Sequence, residues 1–228
     1  MKHIISCIAV ILLAAHAVQA DIPRISGSVI GGEDTFIYEP TMDDFAQVSG
    51  ENWGLLDPFE VEGMGITISN IVFNTDPLIY NNILVANTSG GTQTYQFDIT
   101  LPTTLTAPNQ IRGSIDTSVI GPSALLSAPT DGSVYAALID GVVVETLQDY
   151  SFTLGTGQDA TSQSDNFPWK SSTVAIATDM GIRLTFTLSN GATAAIISDF
   201  EVVPEPSSML LIGIASSAII FVRRKFIV

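Results

Sequence analysis

In Ile182-Arg183-Leu184-Thr185-Phe186-Thr187-Leu188 a bulky hydrophobe stands at every second position, with a charged or hydroxylated residue between each pair. Successive side chains of an extended strand point to opposite faces, so this period of two predicts a strand with one buried and one solvated side. Asn190-Gly191 reads as a turn leading into a second strand over Ala192 to Val203. The same pattern recurs upstream. Tyr95, Phe97, Ile99 and Leu101 alternate with Gln96, Asp98 and Thr100, and with Ile83 to Ala86 and the turn Ser89-Gly90-Gly91 they read as a hairpin. Tyr135 to Ile139, Asp140-Gly141 and Val142 to Thr146 read as another. Ile66 and Ile68 share a face, then the phase slips so that Ile71 and Phe73 resume it, which places a bulge near Ser69-Asn70. Arg24 to Ile30, Ile111 to Val119 and Thr173 to Thr178 supply further strands, whereas Glu33 to Pro58 reads as acidic and irregular, with a local helix over Thr41 to Gln47. About nine or ten closely spaced strands, with no strong helical period before Ser207, predict an all-β fold. The expected architecture is a single antiparallel β-sandwich, jelly-roll-like, over residues 21–202.

The two ends read differently. Residues 1–20 have a basic start at Lys2, an apolar run from Ile4 to Ala15, and small residues before a cleavage point between Ala20 and Asp21, the three parts of a signal peptide. Residues 203–228 begin with Val203-Pro204-Glu205-Pro206, continue as an apolar stretch and reach the cations Arg223, Arg224 and Lys225. The prolines restrict the residues before them and block helix on the upstream side, so a helix starts cleanly near Ser207. A transmembrane helix over 207–222 would be roughly 24 Å long at 1.5 Å per residue, short of the roughly 30 Å hydrocarbon core unless the cations snorkel. The positive-inside rule keeps those cations in the cytoplasm and the body outside it.

This tail resembles the PEP-CTERM sorting signal of bacterial exported proteins. It is less rich in Leu and Gly than is usual there, and Phe226-Ile227-Val228 continues past the cations. The resemblance implies recognition of Val203, Pro204, Glu205 and Pro206 by an exosortase-like membrane protease, usually found with exopolysaccharide machinery. It also implies an exported protein, held in the membrane by its C-terminal helix and released to the surface or matrix after the tail is cut.

The chain has 23 acidic and 8 basic residues. Lys2, Arg223, Arg224 and Lys225 belong to the end segments and Glu205 to the tail, leaving the body 22 acidic residues against Arg24, Arg112, Lys170 and Arg183. A surface this acidic repels phosphate backbones, so no nucleic-acid partner is expected. Both histidines, His3 and His16, and the lone Cys7 lie in the first 20 residues. The body therefore lacks the side chains for histidine-based triads, cysteine nucleophiles, zinc sites and disulfides.

Few motifs in the body carry chemistry. Glu60 and Glu62, two apart, would share a strand face at about 6.6 Å, near the separation of glycosidase carboxylate pairs, though exposed acids on a strand are ordinarily a solvated face. Asp159, Asp165 and Asn166, with Asp131 and Asp140, are candidate oxygen ligands for calcium, although no stretch has EF-hand spacing. Trp53 and Trp169 are candidate sugar-stacking platforms or simply packing residues. Asn87-Thr88-Ser89 matches a glycosylation sequon. Gly155 to Ala160 matches a relaxed dinucleotide fingerprint, but the polar run and Pro168 that follow cannot open a helix, so it reads as a turn. The sequence thus predicts a non-catalytic, surface-delivered structural or binding component of the cell envelope or extracellular polysaccharide matrix, with no cofactor other than a candidate calcium. A carboxylate-dependent glycan hydrolase and a calcium-dependent adhesin are the alternatives.

Overall fold

The computed structural model describes residues 22–30, 34–74, 76–105, 109–155 and 160–205. The predicted signal peptide with its Ala20/Asp21 junction, Asp159, Pro206, the 207–222 segment, and Arg223, Arg224 and Lys225 lie outside these residues. Among the described residues no helix is long and apolar enough to cross a membrane.

The described residues form sixteen strands. In chain order these are β1 (Arg24–Ile30), β2 (Thr35–Tyr38), β3 (Phe45–Ser49), β4 (Asn52–Leu55), β5 (Phe59–Val61), β6 (Ile66–Asn74), β7 (Leu78–Ala86) and β8 (Gln93–Pro102). There follow β9 (Asn109–Ile120), β10 (Leu125–Ser127), β11 (Tyr135–Ile139), β12 (Val142–Leu147), β13 (Thr153–Gly155), β14 (Thr161–Ser172), β15 (Asp179–Leu188) and β16 (Thr193–Pro204). They pair antiparallel in two sheets. The first has the order β12-β11-β15-β8-β1-β2, with β10 on β15 and β13 on β10. The second runs β14-β9-β16-β7-β6-β4-β3, with β5 on β6. The two-residue alternation fills the space between them. From the first sheet come Phe97, Ile99, Ile182, Leu184 and Phe186, and from the second Ile68, Ile79, Ile83, Ile115 and Phe200, all fully buried. Each such side chain contributes about 1.5–3 kcal/mol on burial, and this core carries the fold where disulfides are lacking.

The pattern-based strands are present, and the bulge near Ser69-Asn70 appears as a register shift between Ile68 and Asn70 against β7. Several connections differ from expectation. At Asp140-Gly141 both residues have positive φ, 49° and 74°, the twist that suits two paired strands, and β11 and β12 do pair. At Asn190-Gly191 only Gly191 does, at 74°. Such a turn splays its strands, and β15 and β16 belong to different sheets. The expected hairpin of Ile83–Ala86 with Tyr95–Leu101 is likewise a crossover, since β7 and β8 lie in opposite sheets. Asn87 pins the two crossovers together. Its buried amide donates to the carbonyls of Leu188 and Gly91, 2.8 Å each, and its Oδ1 accepts from the Ser89 hydroxyl at 2.8 Å. The sequon asparagine is thereby engaged inside the fold and has no free amide to carry a glycan.

Two stretches correct the reading more deeply. Glu33 to Pro58 is not irregular: it holds β2, β3 and β4, and the expected helix over Thr41 to Gln47 is one 3-10 turn, Met42–Asp44. The expected strand Thr173 to Thr178 reduces to a single bridge between Ile176 and Leu105. The strand of that region is β14, whose polar sequence hid it.

Candidate functional site

Alternation along β16 sends Ala194, Ile196, Ser198, Phe200 and Val202 into the core and leaves Ile197, Asp199 and Glu201 on the outer face of the second sheet. Register then lines outer residues up across five strands. Val72 of β6 stands opposite Tyr80 of β7, Tyr80 opposite Asp199, Asp199 opposite Ser114 of β9, and Ser114 opposite Asn166 of β14. At about 4.8 Å per strand this row spans roughly 19 Å. It floors a cleft of about 800 Å³, with Asn70 at one side and Pro168 and Trp169 at the other.

The Trp169 wall depends on a bulge. Phe167 is buried opposite Gly113 and Lys170 stands opposite Ile111, so Pro168 and Trp169 together face the single residue Arg112. Strict alternation from Phe167 would turn Trp169 inward. The extra residue turns it outward instead, where it is 41% exposed. Pro168, which lacks a donor, is tolerated because β14 is an edge strand.

Neighbouring charges hold the indole. Arg112 lies directly opposite Glu201, and its Nε donates to Glu201 Oε2 at 2.6 Å, with Nη2 on the same oxygen. The guanidinium carbon sits 4.7 Å from the Trp169 ring centre, a cation–π contact that fixes the ring plane. On the far side of the bulge Lys170 pairs with Glu145 of β12, tying the edges of the two sheets. In the floor the Ser114 hydroxyl donates to Asp199 Oδ1.

A side chain from the opposite sheet supports the floor from below. Tyr135 of β11 crosses the core, and its hydroxyl donates to the Asp199 carbonyl at 2.9 Å. Burial first, and the nearby Asp199 carboxylate second, push this phenol well above its ordinary pKa. Gly113 makes room for it: a Cβ there would stand 2.6 Å from Tyr135 Oη and 2.8 Å from both the Asp199 carbonyl and the Phe167 ring.

Of the residues singled out in the sequence, Trp169 and Asn166 belong to this cleft. Trp53 packs half-buried against the core. Glu60 is exposed on β5, while Glu62 is exposed beyond its end, so the two do not form a strand-face pair. Asp165 accepts the backbone N–H groups of Gln148 at 3.1 Å and of Asn166 at 2.8 Å. Asp140 accepts those of Ala177, Thr178 and Asp179, and Asp131 lies exposed in a loop. Among the described residues no three His, Cys, Asp or Glu side chains gather to hold a metal. Val203 and Pro204 end β16 opposite Gln110 and Asn109, and Glu205 follows directly. The sequence reading passed over Tyr80, Arg112, Ser114 and Asp199. Their one legible signal is position, each standing outward on an alternating strand, and only pairing register joins them.

Residues 202–225 match the family model of the PEP-CTERM protein-sorting motif. The tail carries that motif, which marks the chain for export and membrane-associated sorting. No curated protein matches the chain. Among solved structures it is similar to TmCBM61 in complex with beta-1,4-galactotriose, at 10% identity and a TM-score of 0.24, covering 55% of this chain and 71% of that one.

Proposed function

We propose that this protein is a non-catalytic binding component of the cell envelope or extracellular polysaccharide matrix, delivered there by its sorting tail and holding a glycan in the outer cleft of its jelly-roll-like sandwich. The observation that carries this reading is the cleft itself. An exposed indole is lifted out of register beside acceptor and amide side chains, on a face that crosses five strands. Apolar rings beside a few placed hydrogen-bonding groups make a surface suited to sugars, whose rings have apolar faces and hydroxyl edges.

The hydrolase alternative gains a different carboxylate pair, Asp199 and Glu201, two apart on β16. Both are already acceptors, from Ser114 and Arg112. Glycoside cleavage needs two carboxyl groups that reach the scissile bond, and both of these are turned to protein donors instead. This supports binding over catalysis.

The test uses the full chain in detergent micelles, incubated with the matrix polysaccharide of the source cell. The expected outcome is retention of the protein on the polymer, weakened roughly tenfold by Trp169→Ala, with no new reducing ends. Equal retention of Trp169→Ala would remove the cleft from the function, and new reducing ends would replace binding by hydrolysis.

A further inference from the structure

Resting on that binding reading, we propose that the cleft selects uncharged glycans and that Glu201 sets this selectivity by neutralising Arg112. Every cation of the body is paired with a carboxylate: Arg24 with Glu39, Arg112 with Glu201, Lys170 with Glu145 and Arg183 with Asp98. The 22 acids of the body outnumber these four cations. Arg112 is the cation lining the cleft. Its Nε and Nη2 both lie on one oxygen of Glu201, and its guanidinium stacks on Trp169. Its charge is therefore cancelled where a ligand would meet it. The floor adds the Asp199 carboxylate, so one cation stands among two anions.

Such a surface treats two kinds of sugar differently. A hydroxyl can donate to Asp199, and can both donate to and accept from the amides of Asn70 and Asn166. A uronate or sulfate brings a second anion against Asp199 and finds no unpaired guanidinium to receive it. Like charges juxtaposed across an interface suppress the wrong partner. Glu201, whose side chain is only 16% exposed, thus acts on specificity through Arg112 and needs no contact with the sugar.

The experiment is affinity electrophoresis of the full chain in detergent micelles. Gels contain a neutral polymer (dextran, mannan or galactan), an anionic one (alginate or polygalacturonate), or the source cell's matrix polysaccharide before and after carboxyl reduction. We expect at least one neutral polymer to retard the wild type, carboxyl reduction to strengthen retardation by any acidic matrix polymer, and binding to change little with salt. Glu201→Gln keeps the shape but frees the Arg112 charge. It should gain retardation by alginate or polygalacturonate of about tenfold or more, abolished by added salt. A wild type that binds anionic polymers as well as neutral ones overturns this inference while leaving the binding reading in place. So does a folded Glu201→Gln that gains nothing. A wild type retarded by no polymer overturns both. If Glu201→Gln fails to fold, the carboxyl-reduction comparison, which needs no variant, decides in the same sense.

Discussion

Asp140 shows how one side chain can serve two structures. Its positive φ of 49° makes the turn between β11 and β12, and its carboxylate accepts the N–H groups of Ala177, Thr178 and Asp179 and the Thr178 hydroxyl. Partial desolvation raises its pKa, but these hydrogen bonds together outweigh it and hold the group below its ordinary value of 3.8. A carboxyl whose folded pKa is depressed stabilises the fold fully above its unfolded pKa, and that contribution is lost as pH falls through the folded value. The wild type should therefore lose stability over an acid step, below about pH 4, that Asp140→Asn lacks. Asn keeps the left-handed turn and one acceptor oxygen, so at neutral pH it should cost about 1 kcal/mol. Denaturant melts of both proteins across that acid range check this, and parallel stability curves would refute it. The turn itself was legible in Asp140-Gly141. Its role as a cap for residues 177–179 was not, because those partners are far away in the chain.

At the scale of the element, β14 is the instructive strand. It reads Thr161-Ser162-Gln163-Ser164-Asp165-Asn166-Phe167-Pro168-Trp169-Lys170-Ser171-Ser172, with no apolar alternation and a proline inside. An edge strand needs neither: one side of its backbone has no partner, and proline, lysine and a bulge all discourage pairing with another chain. The strand therefore owes its existence to the long ladder on β9 and not to its own composition. Its bulge makes a sharp prediction. Deleting Pro168 should restore one-to-one pairing in which Trp169 directly follows the inward Phe167 and still faces outward opposite Arg112, so retention on the polysaccharide should survive. Retained binding with an unchanged β-type far-UV circular dichroism spectrum and an unshifted tryptophan emission is the expected result. A folded deletion variant that no longer binds would mean that the bulge itself, beyond its outward indole, shapes the site.

For the whole molecule, the sorting motif and the sandwich meet inside one strand. Val202 is buried, and Val203 and Pro204 are still in register with β9, so Glu205 is the first motif residue beyond the sheet. Changing Pro204, Glu205 and Pro206 together to alanine leaves the core untouched but alters the part of the motif at and beyond the sheet's end. If an exosortase reads the motif, wild-type protein should be found shortened by about two dozen residues, the length of a short membrane segment and its cations. The triple variant should accumulate in the membrane at full length. Intact mass spectrometry decides, and a mature wild-type mass that still includes Phe226-Ile227-Val228 would defeat processing.

The sequence alone determined the all-β class, because a two-residue period in strands such as Ile182 to Leu188 has one physical meaning, a surface wet on one side and dry on the other. It also determined the sorting tail, whose motif is legible in the order in which it is written, and it leaves residues 21–228 without histidine or cysteine. Only the tertiary structure decided which strands are neighbours. Asn190-Gly191 and Ser89-Gly90-Gly91 look like hairpin turns, yet their backbone twist and the bonds of Asn87 send the chain across the sandwich. Nor does any local pattern bring Tyr80, Arg112, Asp199 and Trp169 to one cleft. They meet because pairing register and one bulge place them there, and register is settled by burying the opposite faces of the same strands.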